Sequence, residues 1–276
     1  MERSVLRTYL VPLLGMLAVV VVVAALLCAD GGGTTPHLRT PVGLLILCDE
    51  DVSRPLERPD VEHEAGVIGR FRRRAGVRVE GEYATSQELL EALLHRREGD
   101  LLLTADERVV EEARRQGLVY ETRFVARLVP VIIARREIAS DVGGVADLAN
   151  DALRLAVVPE GAGLMGRVTA EVLRKGELAA HELKNIHFEG NSAYEVARAV
   201  ETDRADVSIV WRPTAELFPR NTRRVEIAPD MNVTVPVEAV VLNTSESRRE
   251  AVKFADFLTG PASQEVFERH AFERYE

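Results

Sequence analysis

The chain has 276 residues, of which 46% are hydrophobic and 29% charged. That length suits one large domain or two lobes with a sizeable core. A formal net charge of −9 speaks against a nucleic-acid partner, which needs a basic face, and the basic run RFRRRAG at residues 70–76 reads as a solvated helix face.

Residues 1–30 differ in kind from the rest. Arg3 and Arg7 precede an uncharged, mostly apolar run from Leu10 to Cys28. Its length lies between a long signal-peptide core and a short membrane-spanning helix. The segment is expected to be a signal peptide or an apolar anchor helix that binds the membrane, with the remainder exported. Leu27 is bulkier than lipoprotein processing at Cys28 usually accepts. The stretch GGGTTPHLRTP, 31–41, reads as a flexible tether. The two cysteines, Cys28 and Cys48, lie at the ends of an apolar segment and a strand, so no structural disulfide is expected.

After the tether, strand and helix patterns alternate. VGLLILC (42–48) is a continuous apolar run, as in a strand buried on both faces. A helix follows at about 60–75, with Pro59 at its start and Gly76 at its end. VRVEGEY (77–83) alternates as a strand, and SQELLEALLHRR (86–97) is an amphipathic helix with Ser86 as its N-cap. DLLLTA is a third strand and DERVVEEARRQG a helix closed by Gly117. This βαβαβα order implies a parallel sheet with right-handed crossovers. A second block begins near residue 126. ARLVPVIIAR and LRLAVV read as strands, followed by a helix at 165–175, then the strand IHF, the helix SAYEVARAVET and the strand ADVSIVW. VPVEAVVLN (235–243) and helices at about 246–258 and 261–270 close the chain.

Three strand-to-helix turns carry candidate binding groups. EYATSQELL brings Thr85 and Ser86 to a helix N-terminus, VVPEGAGLMGR offers bare backbone at 161–166, and LLLTADE offers Thr104. Helix N-termini present unpaired N–H groups and the positive end of the helix dipole, so together such turns can hold an oxyanion without an opposing cation. Each turn alone is more simply read as a plain cap or a plain turn. The Gly-rich turn matches neither a P-loop nor a dinucleotide fingerprint. The dispersed histidines lack zinc spacing, and no Gly-x-Ser-x-Gly elbow occurs. No enzyme and no cofactor is implied.

The order GVRVEGEYATSQELLEAL, GDLLLTADERVVEEARRQGLV, RLVPVIIAR, LRLAVVPEGAGLMGRVTAEVL and ADVSIVW, closed by AVKFADFLTGPASQEVFERHAF, resembles the periplasmic molybdate-binding proteins of ABC importers over roughly 42–272. The resemblance implies an α/β fold of type II periplasmic-binding kind: two parallel-sheet lobes joined by a two-strand hinge. Lobe one would take 42–125 and 231–276, and lobe two 126–230. It further implies molybdate or tungstate held in the interlobe cleft and an ABC permease as partner. Carried over position by position, the ligand shell would be Thr85, Ser86, Gly161, Ala162, Gly163 and Gly166, with Trp211 where the family commonly has a tyrosine and Ser53 from the first turn. The chain departs from the family after its first strand. Where a serine is usual it reads CDEDVS, bringing Cys48, Asp49, Glu50 and Asp51 to the mouth, where carboxylates repel a dianion. Two other readings stay open: a metal cation bound by Cys48, Asp49, Glu50 and Asp51, and a membrane-tethered sensory or interaction domain without transport. Deletion of residues 1–35 is expected to leave a soluble domain that unfolds cooperatively, checked by thermal denaturation of the truncated chain.

Overall fold

The computed structural model describes residues 43–57 and 66–275. The apolar segment at 10–28, the tether and the helix start at Pro59 lie outside them. Two mixed sheets organise the chain. The first lobe opens with β1 (Gly43–Asp49), the helical turn α1 (Arg54–Glu57) and α2 (Val67–Ala75). It continues through β2 (Arg78–Ala84), α3 (Ser86–Arg96), β3 (Leu101–Thr104), α4 (Glu107–Arg115) and β4 (Val119–Leu128). The second contains β5 (Pro130–Arg135), β6 (Leu155–Val157), α5 (Gly163–Lys175), β7 (Ile186–Glu189), α6 (Ala193–Glu201), β8 (Val207–Trp211), the turn α7 (Arg212–Ala215) and β9 (Thr222–Val225). β10 (Val235–Leu242), α8 (Arg248–Thr259), α9 (Pro261–Arg269) and β11 (Glu273–Arg274) return to the first sheet.

The first sheet runs β11-β4-β10-β3-β1-β2 and the second β7-β6-β8-β5-β9. Parallel pairing, expected throughout, is confined to β2-β1-β3 in one sheet and β7-β6-β8 in the other. The strands that carry the chain between lobes pair antiparallel to their neighbours. ARLVPVIIAR is therefore two strands, not one. Pro130 has no N–H to continue a ladder, and the chain leaves the first sheet at Leu128 and enters the second two residues later. The return crossing spans residues 226–234, and Asn232 Nδ2 from it donates to the Pro130 carbonyl at 3.2 Å. β9 and β11 carry no apolar alternation, and the first half of β4 is mostly polar and half-exposed, so nothing in their pattern announces a strand.

Alternation of side chains across the first sheet explains its core. Leu44, Ile46 and Cys48 of β1 point into a large apolar cluster shared with α2 and α8, while Leu47 faces a second cluster with Leu89, Leu90 and Leu93 of α3 and Val109, Val110 and Ala113 of α4. The large cluster continues through Leu128 and Val131 into the second lobe. Arg72, Arg73 and Arg74 stay on the exposed face of α2, and Gly76 (φ 67°) closes that helix in the left-handed region. Phe71, on its buried face, meets the Phe254 ring edge-on at 4.9 Å and Phe257 at 5.4 Å, fixing α2 against α8. Phe71→Ala is expected to cost about 3–5 kcal/mol of unfolding free energy, read as a lowered urea midpoint.

Candidate functional site

Five strands of the parallel portions end at one cleft, of about 290 Å³, as open α/β sheets place their ligand crevices. From the first lobe come Asp49, Glu50 and Asp51 after β1, Thr85, Ser86 and Gln87 after β2, and Asp106 after β3. From the second come Ala162, Gly163, Leu164 and Met165 at the start of α5, and Asn191, Ser192 and Ala193 at the start of α6.

A hydrogen-bonded chain fixes the first-lobe wall. The Asp106 N–H donates to Thr104 Oγ1 at 3.0 Å, and the Thr104 and Ser86 hydroxyls lie 2.6 Å apart. The Ser86 hydroxyl donates to Asp49 Oδ2, whose other oxygen accepts the Asp51 N–H at 2.9 Å. Asp49 thereby caps the turn of residues 50–52, which Val52 anchors in the core. Thr85, not Ser86, is the N-cap of α3: it accepts the Glu88 N–H at 3.3 Å, and its hydroxyl and N–H both donate to Glu88 Oε2 at 2.7 and 3.0 Å. Gln87 Nε2 donates to Glu91 Oε1 at 3.1 Å.

On the opposite wall, Ser192 caps α6 by accepting the Glu195 N–H at 3.3 Å. α5 differs. Its N-terminus has no side-chain cap, and Gly163 begins it at φ 80° with open space where a Cβ would stand. The first-turn N–H groups of a helix have no intrahelical acceptor, so this end offers donors and the positive end of a helix dipole to the cleft. Three contacts join the walls. Trp211 Nε1 donates to Asp51 Oδ2 at 2.8 Å, Arg167 pairs with Asp106 at 2.7 Å, and Arg54 donates to the Pro213 carbonyl at 3.3 Å.

Of the residues singled out from sequence, Thr85, Ser86, Ala162, Gly163, Asp49, Glu50 and Asp51 line the cleft. Gly161, Gly166, Ser53, Trp211 and Cys48 do not. Gly166 is a packing position: a Cβ there would come within 1.9 Å of the Pro159 carbonyl oxygen. The Ser53 hydroxyl donates back to the Glu50 carbonyl at 2.7 Å. Trp211 is fully buried and reaches the cleft only through Asp51. The metal cluster of Cys48, Asp49, Glu50 and Asp51 does not form. The Cys48 thiol points into the core and donates to the Asp49 carbonyl at 3.3 Å. Among the described residues no group of three or more His, Cys, Asp or Glu is arranged around a common point for a metal. The backbone turn expected at 161–166 reaches the cleft through Ala162 to Met165, whereas sequence reasoning missed Gln87, Asp106, Asn191, Ser192 and Ala193. The spacing of Ser192 and Glu195 is a legible cap signal, whereas nothing local marks Asp106 as more than a helix start.

Burial pushes the Asp49 and Asp51 carboxyls above the usual carboxylate range. The Ser86 hydroxyl and Asp51 N–H pull Asp49 back, and Trp211 pulls Asp51 back, while Glu50 raises both; Asp106 also raises Asp49, and Asp49 raises Asp51. Burial also pushes the Cys48 thiol well up. Because these carboxyls hold their protons more tightly when folded, their contribution to stability is present below the ordinary carboxylate pKa of about 4 and is lost as pH rises through the raised values. Melting temperature is therefore expected to fall between about pH 5 and pH 8, by about 2–4 °C for each kcal/mol involved. Asp51→Asn, which keeps an acceptor for Trp211, is expected to flatten that fall, measured by calorimetry across the range.

The chain matches the family model of the bacterial extracellular solute-binding proteins over residues 65–273. No curated protein is similar enough in sequence to match. Among solved structures, a substrate-binding domain assigned to a molybdenum ABC transporter of Clostridium difficile is similar at a TM-score of 0.70 and 20% identity, covering 85% of this chain and 100% of that one. Iron-bound HitA from Pseudomonas aeruginosa is similar at a TM-score of 0.67 and 14% identity, over 86% and 87%. The periplasmic molybdate-binding protein of Azotobacter vinelandii is similar at 0.64 and 15%, over 84% and 100%. These likenesses establish the two-lobed type II periplasmic-binding fold.

Proposed function

From the premise that the chain belongs to the bacterial extracellular solute-binding proteins, we propose that it captures a small solute bearing an oxyanion group in the cleft between its lobes and passes it to an ABC permease. The family's members bind and carry rather than catalyse. The observation that carries the oxyanion is the start of α5, whose first-turn residues line the cleft with no side-chain cap, although α3, α4 and α6 are all capped by side chains. Backbone donors at a helix N-terminus hold negative charge without a basic side chain.

Capture would work by hinge closure about the crossings at Val129 and residues 226–234. The solute bridges the walls, and its extra contacts in the closed form shift the equilibrium toward closure. Lobe one, expected at 42–125 with 231–276, and lobe two, expected at 126–230, are taken to divide at Val129, because β4 runs on to Leu128 in the first sheet. Residues 10–28 are taken as the segment that exports the domain or holds it at the membrane. Among the described residues no helix is long and apolar enough to cross a membrane.

The test is a thermal-shift screen with molybdate, tungstate, sulfate, phosphate, ethylphosphonate and 2-aminoethylphosphonate, followed by calorimetry on any that stabilise the folded chain. At least one is expected to raise the melting temperature. Gly163→Val places a β-branched residue at positive φ without a steric neighbour. It is expected to weaken that binding by about tenfold or more, the worth of one or two hydrogen bonds, while leaving a folded protein. A screen in which nothing binds, or an unchanged affinity in Gly163→Val, overturns the reading.

A further inference from the structure

We propose that the solute is a zwitterion: its oxyanion end rests on the start of α5, and a protonated amine rests between Glu50 and Asp51. The inference builds on the oxyanion reading and concerns what the first-lobe wall adds to it.

The side-chain donors of that wall are drawn to other groups of the protein. The Thr85 hydroxyl goes to Glu88, the Ser86 hydroxyl to Asp49 and the Gln87 amide to Glu91. Arg167, the cation at the rim, is spent on Asp106, and the Arg54 guanidinium is turned to the Pro213 carbonyl of the other lobe. Acceptors remain instead. Glu50 is exposed, and its carboxylate has no hydrogen-bond or ion-pair partner among the described residues. Asp51 spends Oδ2 on Trp211, and its Oδ1 has no partner among the described residues. Both line the cleft.

The two walls are thus opposite in sign. One is a helix N-terminus that favours negative charge, and the other carries the exposed Glu50 carboxylate beside the Asp51 carboxyl, acceptors that favour a cation. A tetrahedral oxyanion without protons would satisfy the first and be repelled by the second. A short chain carrying an amine at one end and a carboxylate, phosphonate or phosphate at the other spans the cleft and meets both walls. Burial keeps Asp51 toward its neutral form when the cleft holds no cation, and an amine beside it would draw that proton off, so the site is poised for a cationic guest.

Two probes that differ only in the amine test this on the full chain: 2-aminoethylphosphonate and ethylphosphonate, compared by titration calorimetry at neutral pH. The amine-bearing probe is expected to bind at least tenfold tighter, since a partly desolvated pair of opposite charges couples that strongly. Glu50→Gln, an exposed change that leaves the core untouched, and Asp51→Asn, which retains an acceptor for Trp211, are each expected to shrink that ratio. Ethylphosphonate should bind as well or better in both. Equal or tighter binding of ethylphosphonate by the unmodified chain overturns the zwitterion and leaves the oxyanion reading standing. So does tight binding of molybdate or sulfate with neither phosphonate binding. Failure of every probe overturns both.

Discussion

Asp49 receives the Ser86 hydroxyl on one oxygen and the Asp51 N–H on the other, and the shape of the whole first-lobe wall follows from that pair of bonds. They tie the end of β1 to the start of α3 and roll residues 50–52 into a tight turn. The turn aims Asp51 across to Trp211 and leaves Glu50 outside. A side chain only 6% exposed would carry a large desolvation cost as a bare carboxylate, and the two donated hydrogen bonds offset part of it. Ser86 is consequently held as a structural donor. The hydroxyl that a family resemblance marks as a ligand contact is, in this chain, bonded to the chain's own carboxylate.

The second wall is built on the opposite principle. Nothing charged lines it: Ala162 to Met165 and Asn191 to Ala193 contribute backbone, the apolar Leu164 and Met165, and the polar Asn191 and Ser192. Closure of such a cleft has two sources of free energy, the solute and the protein's own cross-wall contacts. The Trp211–Asp51 hydrogen bond and the Arg167–Asp106 pair already join the lobes, so a solute has only to supply the difference between the open and closed forms. Arg167 has a double effect there, since it draws the lobes together while neutralising one of the four acidic side chains of the first wall.

Much of the fold was readable from pattern. The continuous apolar runs within 43–48 and 101–103 are strands buried on both faces, and the helices between them were marked by caps and by leucines on one face. What local pattern does not carry is the change of sheet at Val129. The flanking sequence is apolar on both sides, and only Pro130 hints that the ladder stops. The site was legible where a single turn supplied the group, as at Thr85 and Gly163, and illegible where the role depends on a distant partner. Trp211 and Asp51 are 160 positions apart. No spacing rule reveals that the indole serves the turn rather than the solute. Cys48 is a middle case. It shares the parity of Leu44 and Ile46 on β1, so alternation alone turns its sulfur inward and away from the acidic residues that follow it.

The single tryptophan of the chain lies at the seam where the lobes meet, fully buried, with its ring nitrogen bonded to a residue of the opposite lobe. Under the proposed hinge closure, an indole so placed would change surroundings with opening: bonded to a carboxyl when the walls touch, released from it when they part. Its emission colour and its quenching by small solutes would then report the angle between the lobes, with no label attached and no competing indole elsewhere in the sequence. The proposed hinge would carry its own optical gauge of occupancy.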